Sequence, residues 1–106
     1  MLLANVTGSM VSTQKVQSMT GHKLLLCEPY RVDPNDHERL TGTGRSFVAV
    51  DTLGAGVGEF VLLTQGSSAR LTPETKNLPV DAVVIGIIDT VHAYGKSVYT
   101  KEDNEQ

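Results

Sequence analysis

The chain has 106 residues, which is one domain at roughly 150 residues per domain. Hydrophobic residues make up 40% and charged residues 20%, a balance that fits a globular protein and argues against disorder. Nine Lys and Arg against twelve Asp and Glu give a formal net charge of −3, which argues against a nucleic-acid coat, whose affinity comes from neutralised phosphates.

A chain this short buries only about 60–65% of the surface its unfolded form exposes, so its core is thin and oligomerisation is a natural supplement. No apolar run approaches the ~20 residues of a membrane helix. The longest candidate, Val80 to Val91, is interrupted by Asp81 and Asp89. The first residues lack a basic region followed by an apolar segment, so no secretion signal is expected. Cys27 stands alone and fits a reducing cytoplasm.

Residues 2–10 alternate, with Leu2, Ala4, Val6, Gly8 and Met10 on one face, and predict a half-buried strand. Leu24 to Cys27 form a second apolar run, which Pro29 ends or bends. Residues 33–44 are polar and dense in turn formers, so a surface loop is predicted. Phe47 to Val50 read as a third strand, closed by Asp51, and Phe60 to Thr64 as a fourth. Between them lies Gly54-Ala55-Gly56-Val57-Gly58-Glu59. Gly66 to Leu71 predict one short helix capped by Ser67 and stopped at Thr72-Pro73. Pro79 to Val91 are rich in the β-branched strand formers, and Gly95 separates them from a hairpin partner at Lys96 to Thr100. Residues 101–106 read as a flexible polar tail and residues 1–100 as one domain. Five or six short strands with closely spaced turns predict a mainly β fold, a small closed or partly open barrel.

The chemistry-bearing types assemble no site. The glycine segment fails as a dinucleotide loop, because Glu59 sits where the last glycine is needed and a strand follows instead of a helix. His22, His37 and His92 are scattered, and one cysteine cannot build a cysteine-rich zinc site. Asp33, Asn35, Asp36 and Glu38 lack the calcium-loop spacing, since His37 and Glu38 fill its last two places. Cys27 reads as a small buried hydrophobe. Two Phe, three Tyr and no Trp on an acidic chain do not make a stacking groove for single strands. No cofactor, metal, nucleic-acid or membrane partner is expected.

Two resemblances emerge. Ser67-Ser68-Ala69-Arg70 and Gly86-Ile87-Ile88-Asp89 resemble fragments of trimeric dUTP pyrophosphatases. Gln65-Gly66 stands where arginine is expected, Val91 and His92 replace the family's Asp and Tyr, and no glycine-rich phosphate loop follows. The ordered set is more specific: Ala4-x-Val6-x-Gly8-x-x-Val11-x-Thr13-x-Lys15, Gly21-x-Lys23-Leu24-Leu25, Val50-Asp51-x-x-Gly54-Ala55-Gly56-x-Gly58-Glu59, Gly66 to Arg70, and Pro79-Val80-Asp81-Ala82-x-Val84-x-Gly86-Ile87-Ile88-Asp89. Over roughly residues 1–92 it resembles the EutN/CcmL family of pentameric microcompartment vertex proteins. The 33–44 loop looks longer than that family's usual connection.

That resemblance implies a five-stranded OB-like β-barrel with one short helix, assembled as a closed pentameric ring. It implies a structural subunit of a bacterial microcompartment shell in the cytoplasm, with hexameric shell proteins as partners and no catalysis. The alternatives are a nucleoside-triphosphate pyrophosphatase and an OB-fold single-strand binding module. Three glycines in five residues are expensive to order, so close approach is expected to repay them. Gly54, Ala55, Gly56, Val57 and Gly58 are therefore expected near the five-fold axis, lining a narrow opening, with Glu59 paired and turned away. Glu59, Ser67, Ser68 and Arg70 are assigned to the assembly interface, with Arg70 making a charge-assisted hydrogen bond. Val83 to Ile88 carry apolar residues on both faces, so one face needs cover from a helix or another subunit.

Overall fold

The structure is a computed structural model that describes residues 1–101; residues 102–106, nearly all of the expected tail, lie outside the described residues. Among the described residues eight strands follow in chain order: β1 (Leu2–Met10), β2 (Lys23–Val32), β3 (Leu40–Gly42), β4 (Phe47–Asp51), β5 (Phe60–Gln65), β6 (Ala82–Ile87), β7 (Thr90–Ala93) and β8 (Lys96–Thr100). Neighbours run β1-β5-β6-β4-β2-β3, and β1 also pairs with β2, so five strands close into a barrel. All its ladders are antiparallel except β4 with β6. Counting barrel strands alone, the circuit is 1-2-3-5-4-1, the Greek-key order of a small OB-type barrel. β3 hangs on the far end of β2, and β7 and β8 form a separate hairpin.

Alternation fills the barrel. Ala4 and Val6 from β1, Leu25 and Cys27 from β2, Ala49 from β4, Val61 and Leu63 from β5, and Ala82 and Val84 from β6 form one buried cluster. Burying a leucine such as Leu63 completely contributes about 2–3 kcal/mol. The opposite face of β6 needed cover, and the same chain supplies it. Val83 and Val50 pack outside the barrel against Ala69, Leu78 and Val80, with Met19, Leu24 and Ile85 at the margin. Thr75 pins this covering segment: its buried hydroxyl donates to the Ala69 carbonyl at 2.6 Å.

Several expectations are corrected. The alternation of β1 breaks at a register shift between Val6 and Gly8, which leaves Met10 exposed instead of on the core face. Pro29 neither ends β2 nor leaves its ladder. It sits between the last rung to β4, Cys27–Phe47, and the first to β3, Tyr30–Gly42, where a missing N–H interrupts neither pairing. The 33–44 loop contains β3, a three-residue strand with no alternation to announce it. The helix at Gly66–Arg70 is a 3₁₀ turn; Gln65, not Ser67, is its first flanking residue, and no side chain caps it. A second 3₁₀ turn spans Gln17–Met19. The long strand expected over 79–91 is split, because β6 ends at Ile87 and the chain turns at Ile88–Asp89 before β7.

Candidate functional site

The glycine segment connects β4 to β5, and a buried carboxylate shapes it. Asp51 ends β4 with its side chain fully shielded from solvent. Its Oδ1 accepts the N–H of Leu53 at 2.9 Å and of Gly54 at 3.2 Å, and its Oδ2 accepts the N–H of Ala55 at 2.8 Å. Lys23, opposite Asp51 in the β2–β4 ladder, donates from Nζ to the Ala55 carbonyl at 3.0 Å and lies 3.7 Å from Oδ2. A buried carboxylate is tolerated only when hydrogen-bonded and paired, and both conditions are met here. Behind it, burial and then the Asp51 charge push the Cys27 thiol above its ordinary value, which keeps it protonated and inert.

The loop also closes from the β5 side. The Gly56 N–H donates to Glu59 Oε1 at 2.6 Å, and Glu59 Oε2 pairs with Lys101 Nζ at 2.6 Å. The Lys101 ammonium first, and then the Gly56 amide, hold the Glu59 carboxyl below its ordinary value. Glu59 is therefore paired. Gly58 N–H donates to the Val6 carbonyl at 2.8 Å, and Asn5 Nδ2 donates to the Gly58 carbonyl at 3.0 Å, which fastens the loop to β1.

Two of the three glycines have a local reason. Gly54 and Gly58 have φ of +83° and +93°, where a Cβ is strained. The turn itself requires them, so crowding against another copy is not needed to account for these two. The Ala55 side chain is fully buried and belongs to the barrel core. Val57 is the large side chain that the loop presents to solvent, 68% exposed.

The second candidate segment lies on the covering layer. Ser67 and Ser68 are exposed on the 3₁₀ turn. Arg70 donates from Nη1 to the Val80 carbonyl at 2.9 Å, so its charge-assisted bond is made within the chain and ties the turn to the lead-in of β6. Glu59 on β5's approach and Ser67, Ser68 and Arg70 on this turn share no hydrogen bond among the described residues. Sequence reasoning missed Asp51 and Lys23. An Asp three residues before a glycine signals an Asx-type turn, but the lysine's role depends on strand register, which the sequence does not display.

Among the described residues no three His, Cys, Asp or Glu side chains converge as a metal site. A cleft lined by Ser9, Ser12, Lys15 and His22 is open, and two of these side chains are engaged locally: Lys15 Nζ donates to the Ser12 carbonyl at 2.6 Å and Ser12 Oγ to the Gln14 carbonyl at 2.8 Å. No described helix is long and apolar enough to cross a membrane.

The molecule is thus a small closed OB-type β-barrel with a braced glycine loop and a segment of its own chain over part of its outer face. The sequence profile described as "Ethanolamine utilisation protein EutN/carboxysome" matches residues 1–89, and the chain belongs to this EutN/CcmL family. It is 50% identical over 91 residues to the bacterial microcompartment shell vertex protein PduN of Salmonella typhimurium, covering 86% of this chain and 98% of that protein. Its fold matches the structure of Gloeobacter violaceus CcmL with a TM-score of 0.84 and 42% identity, covering 97% of this chain and all of that one. It also matches the GrpN pentameric microcompartment shell protein from Rhodospirillum rubrum, with a TM-score of 0.72 and 42% identity over 88% of this chain and 98% of that one. The pyrophosphatase and single-strand-binding alternatives find no support among these relatives.

Proposed function

We propose that the chain, folded as one domain over residues 1–100, assembles as a closed ring of five and occupies the vertices of a bacterial microcompartment shell in the cytoplasm. The observation that carries this reading is the family match over residues 1–89, with relatives named for a vertex role. Geometry supplies the reason for such a part: a sheet of hexagons cannot close without points of lower symmetry. The ring's outer rim meets hexameric facet tiles, and the role is structural, with no catalysis.

A five-fold ring uses a heterologous interface, in which two different patches of the subunit meet and the rotation closes. Leu53, Val57 and Leu71 are 49%, 68% and 81% exposed on the single chain, on or beside the two candidate segments. A neighbouring subunit that covers them removes their apolar area from water, which favours association. Glu59, Ser67, Ser68 and Arg70 belong to that contact region. Residues 54–58 lie near the axis and line a narrow opening. Its wall is the backbone of the three glycines and the Val57 side chain, since Ala55 faces its own barrel. Passage is then limited by size more than by charge.

The vertex role is tested by assembling shells from hexameric tile proteins with and without this chain and imaging them. Closed polyhedra only in its presence are expected; polyhedra that close equally well without it refute the role. The axial position is tested by a distance in a solved ring. Ala55 of adjacent subunits should approach within about two strand spacings, on the order of 10 Å. Ala55 on the outer rim refutes the opening.

A further inference from the structure

The β7–β8 hairpin bonds to itself, and among the described residues no strand ladder joins it to the barrel. The chain leaves β6 at Ile87 and crosses at Ile88–Asp89. Two backbone bonds pin the root: Ile88 N–H to the Phe60 carbonyl at 2.8 Å and Lys101 N–H to the Asp89 carbonyl at 2.7 Å. Tyr99 packs on Phe60 near this root, ring centroids 4.6 Å apart. At the far end the hairpin reverses through Tyr94 and Gly95, inside the Ala93–Lys96 rung. Both have positive φ, 53° and 76°, as a type I′ turn requires. That turn favours asparagine at its first central position, and a tyrosine there is strained. Such strain persists only where the surroundings hold it.

The Ala93–Lys96 rung closes the turn, and a stack lies beside it. The Tyr94 ring lies flat on the His37 imidazole, centroids 3.8 Å apart and planes at 11°, although Tyr94 is 70% exposed. Two residues along, Lys96 Nζ reaches Glu38 Oε2 at 2.7 Å. Both contacts run from the hairpin tip to the turn over 33–39, which is braced from within. Asp33 N–H donates to the Arg39 carbonyl at 2.9 Å, and Asp33 Oδ1 accepts the N–H of Asn35 at 2.8 Å and of Asp36 at 3.2 Å. That turn joins β2 to β3 and so moves with the barrel. The Glu38–Lys96 pair is exposed on both sides and screened by salt, which leaves the stack as the principal contact.

We infer that the His37–Tyr94 stack is a latch, clasping the tip of a separately hinged hairpin to the 33–39 turn, and that it opens without unfolding the barrel. The inference is independent of the vertex role. Amide hydrogen exchange on the full-length assembled protein tests it, comparing the wild type with His37→Ala, Tyr94→Ala and Tyr94→Asn. Amides of residues 90–100 should exchange about two- to tenfold faster in the alanine variants, the range of one aromatic pair, while those of β1 and β5 stay unchanged. Tyr94→Asn separates the latch from a plain turn. Turn chemistry alone slows exchange in that variant, whereas loss of the latch speeds it. Unchanged exchange in the hairpin of the alanine variants, or slower exchange in Tyr94→Asn, overturns the inference. Equal acceleration of barrel and hairpin overturns it too, because the hairpin is then part of one cooperative unit.

Discussion

Asp51→Ala should destabilise the protein by about 3 kcal/mol, because the side chain that shapes the glycine loop is lost while the groups it served remain. Asp51 accepts three backbone N–H groups at 2.8–3.2 Å, with no exposure of its own. In the variant, the amides of Leu53 and Gly54 lie on an exposed turn and regain water. The Ala55 amide is buried and does not. One orphaned buried donor costs about 1–3 kcal/mol, and hydrogen bonds to a charged acceptor contribute about 1.5–3 kcal/mol each without adding fully. Lys23 is half exposed and turns to solvent, so its pairing adds little. For a domain this size, a 3 kcal/mol loss lowers Tm on the order of 10–20 °C. Asp51→Asn keeps one acceptor oxygen but in either flip sets its NH2 against a backbone N–H that Asp51 served, donor against donor, and should lose about 1–2 kcal/mol. The assay is thermal and urea denaturation followed by circular dichroism at one protomer concentration, since an oligomer's stability depends on concentration. An alanine variant within about 0.5 kcal/mol of the wild type, the range of ordinary surface changes, refutes the reasoning.

Three further outcomes follow from the same structure. Lys101 and the Gly56 amide depress the folded-state value of Glu59, so its contribution is full above the ordinary glutamate value, near 4.3, and is lost as pH falls through the depressed one. The stability gap between wild type and Glu59→Gln should therefore shrink from pH 6 to pH 3 in urea titrations, and a gap independent of pH contradicts the pairing. Leu63→Ala, in the sealed barrel, should cost about 2–5 kcal/mol, and Ile87→Ala, half-buried at its margin, distinctly less; the reverse order contradicts the packing. Gly54→Ala meets no atom within 4 Å, so its loss, about 1–2 kcal/mol, is backbone strain alone, and a neutral substitution shows that the turn does not need φ of +83°.

Barrel strands were legible where burial imposes a period. Ala4, Val6, Leu25, Cys27, Val61, Leu63 and Val84 all lie in apolar runs or alternations, and all are buried. The thin second layer was half legible: apolar residues on both faces of β6 demanded cover, but not that residues 66–80 of the same chain would provide it. Leu40 to Gly42 were invisible as a strand, because a three-residue edge held by β2 has no pattern of its own. Asp51 was read as a strand end, while its function as the loop's acceptor depends on how the following amides curl back. The Lys23–Asp51 and His37–Tyr94 contacts link residues 28 and 57 positions apart, and only the closed barrel and the folded hairpin bring them together. The motif blocks carried the family through their order and spacing, and several fall where the structure is constrained: Gly54 and Gly58 at positive φ, Asp51 on the loop amides, and Val84 in the barrel core.

The ring itself is the most direct test. Light scattering coupled to size-exclusion chromatography, at micromolar protomer concentration, measures the mass without calibration by shape. A closed ring gives five times the 11.4 kDa chain mass, unchanged on tenfold dilution. A monomer, or a mass that rises continuously with concentration as an open heterologous assembly does, contradicts the vertex assignment.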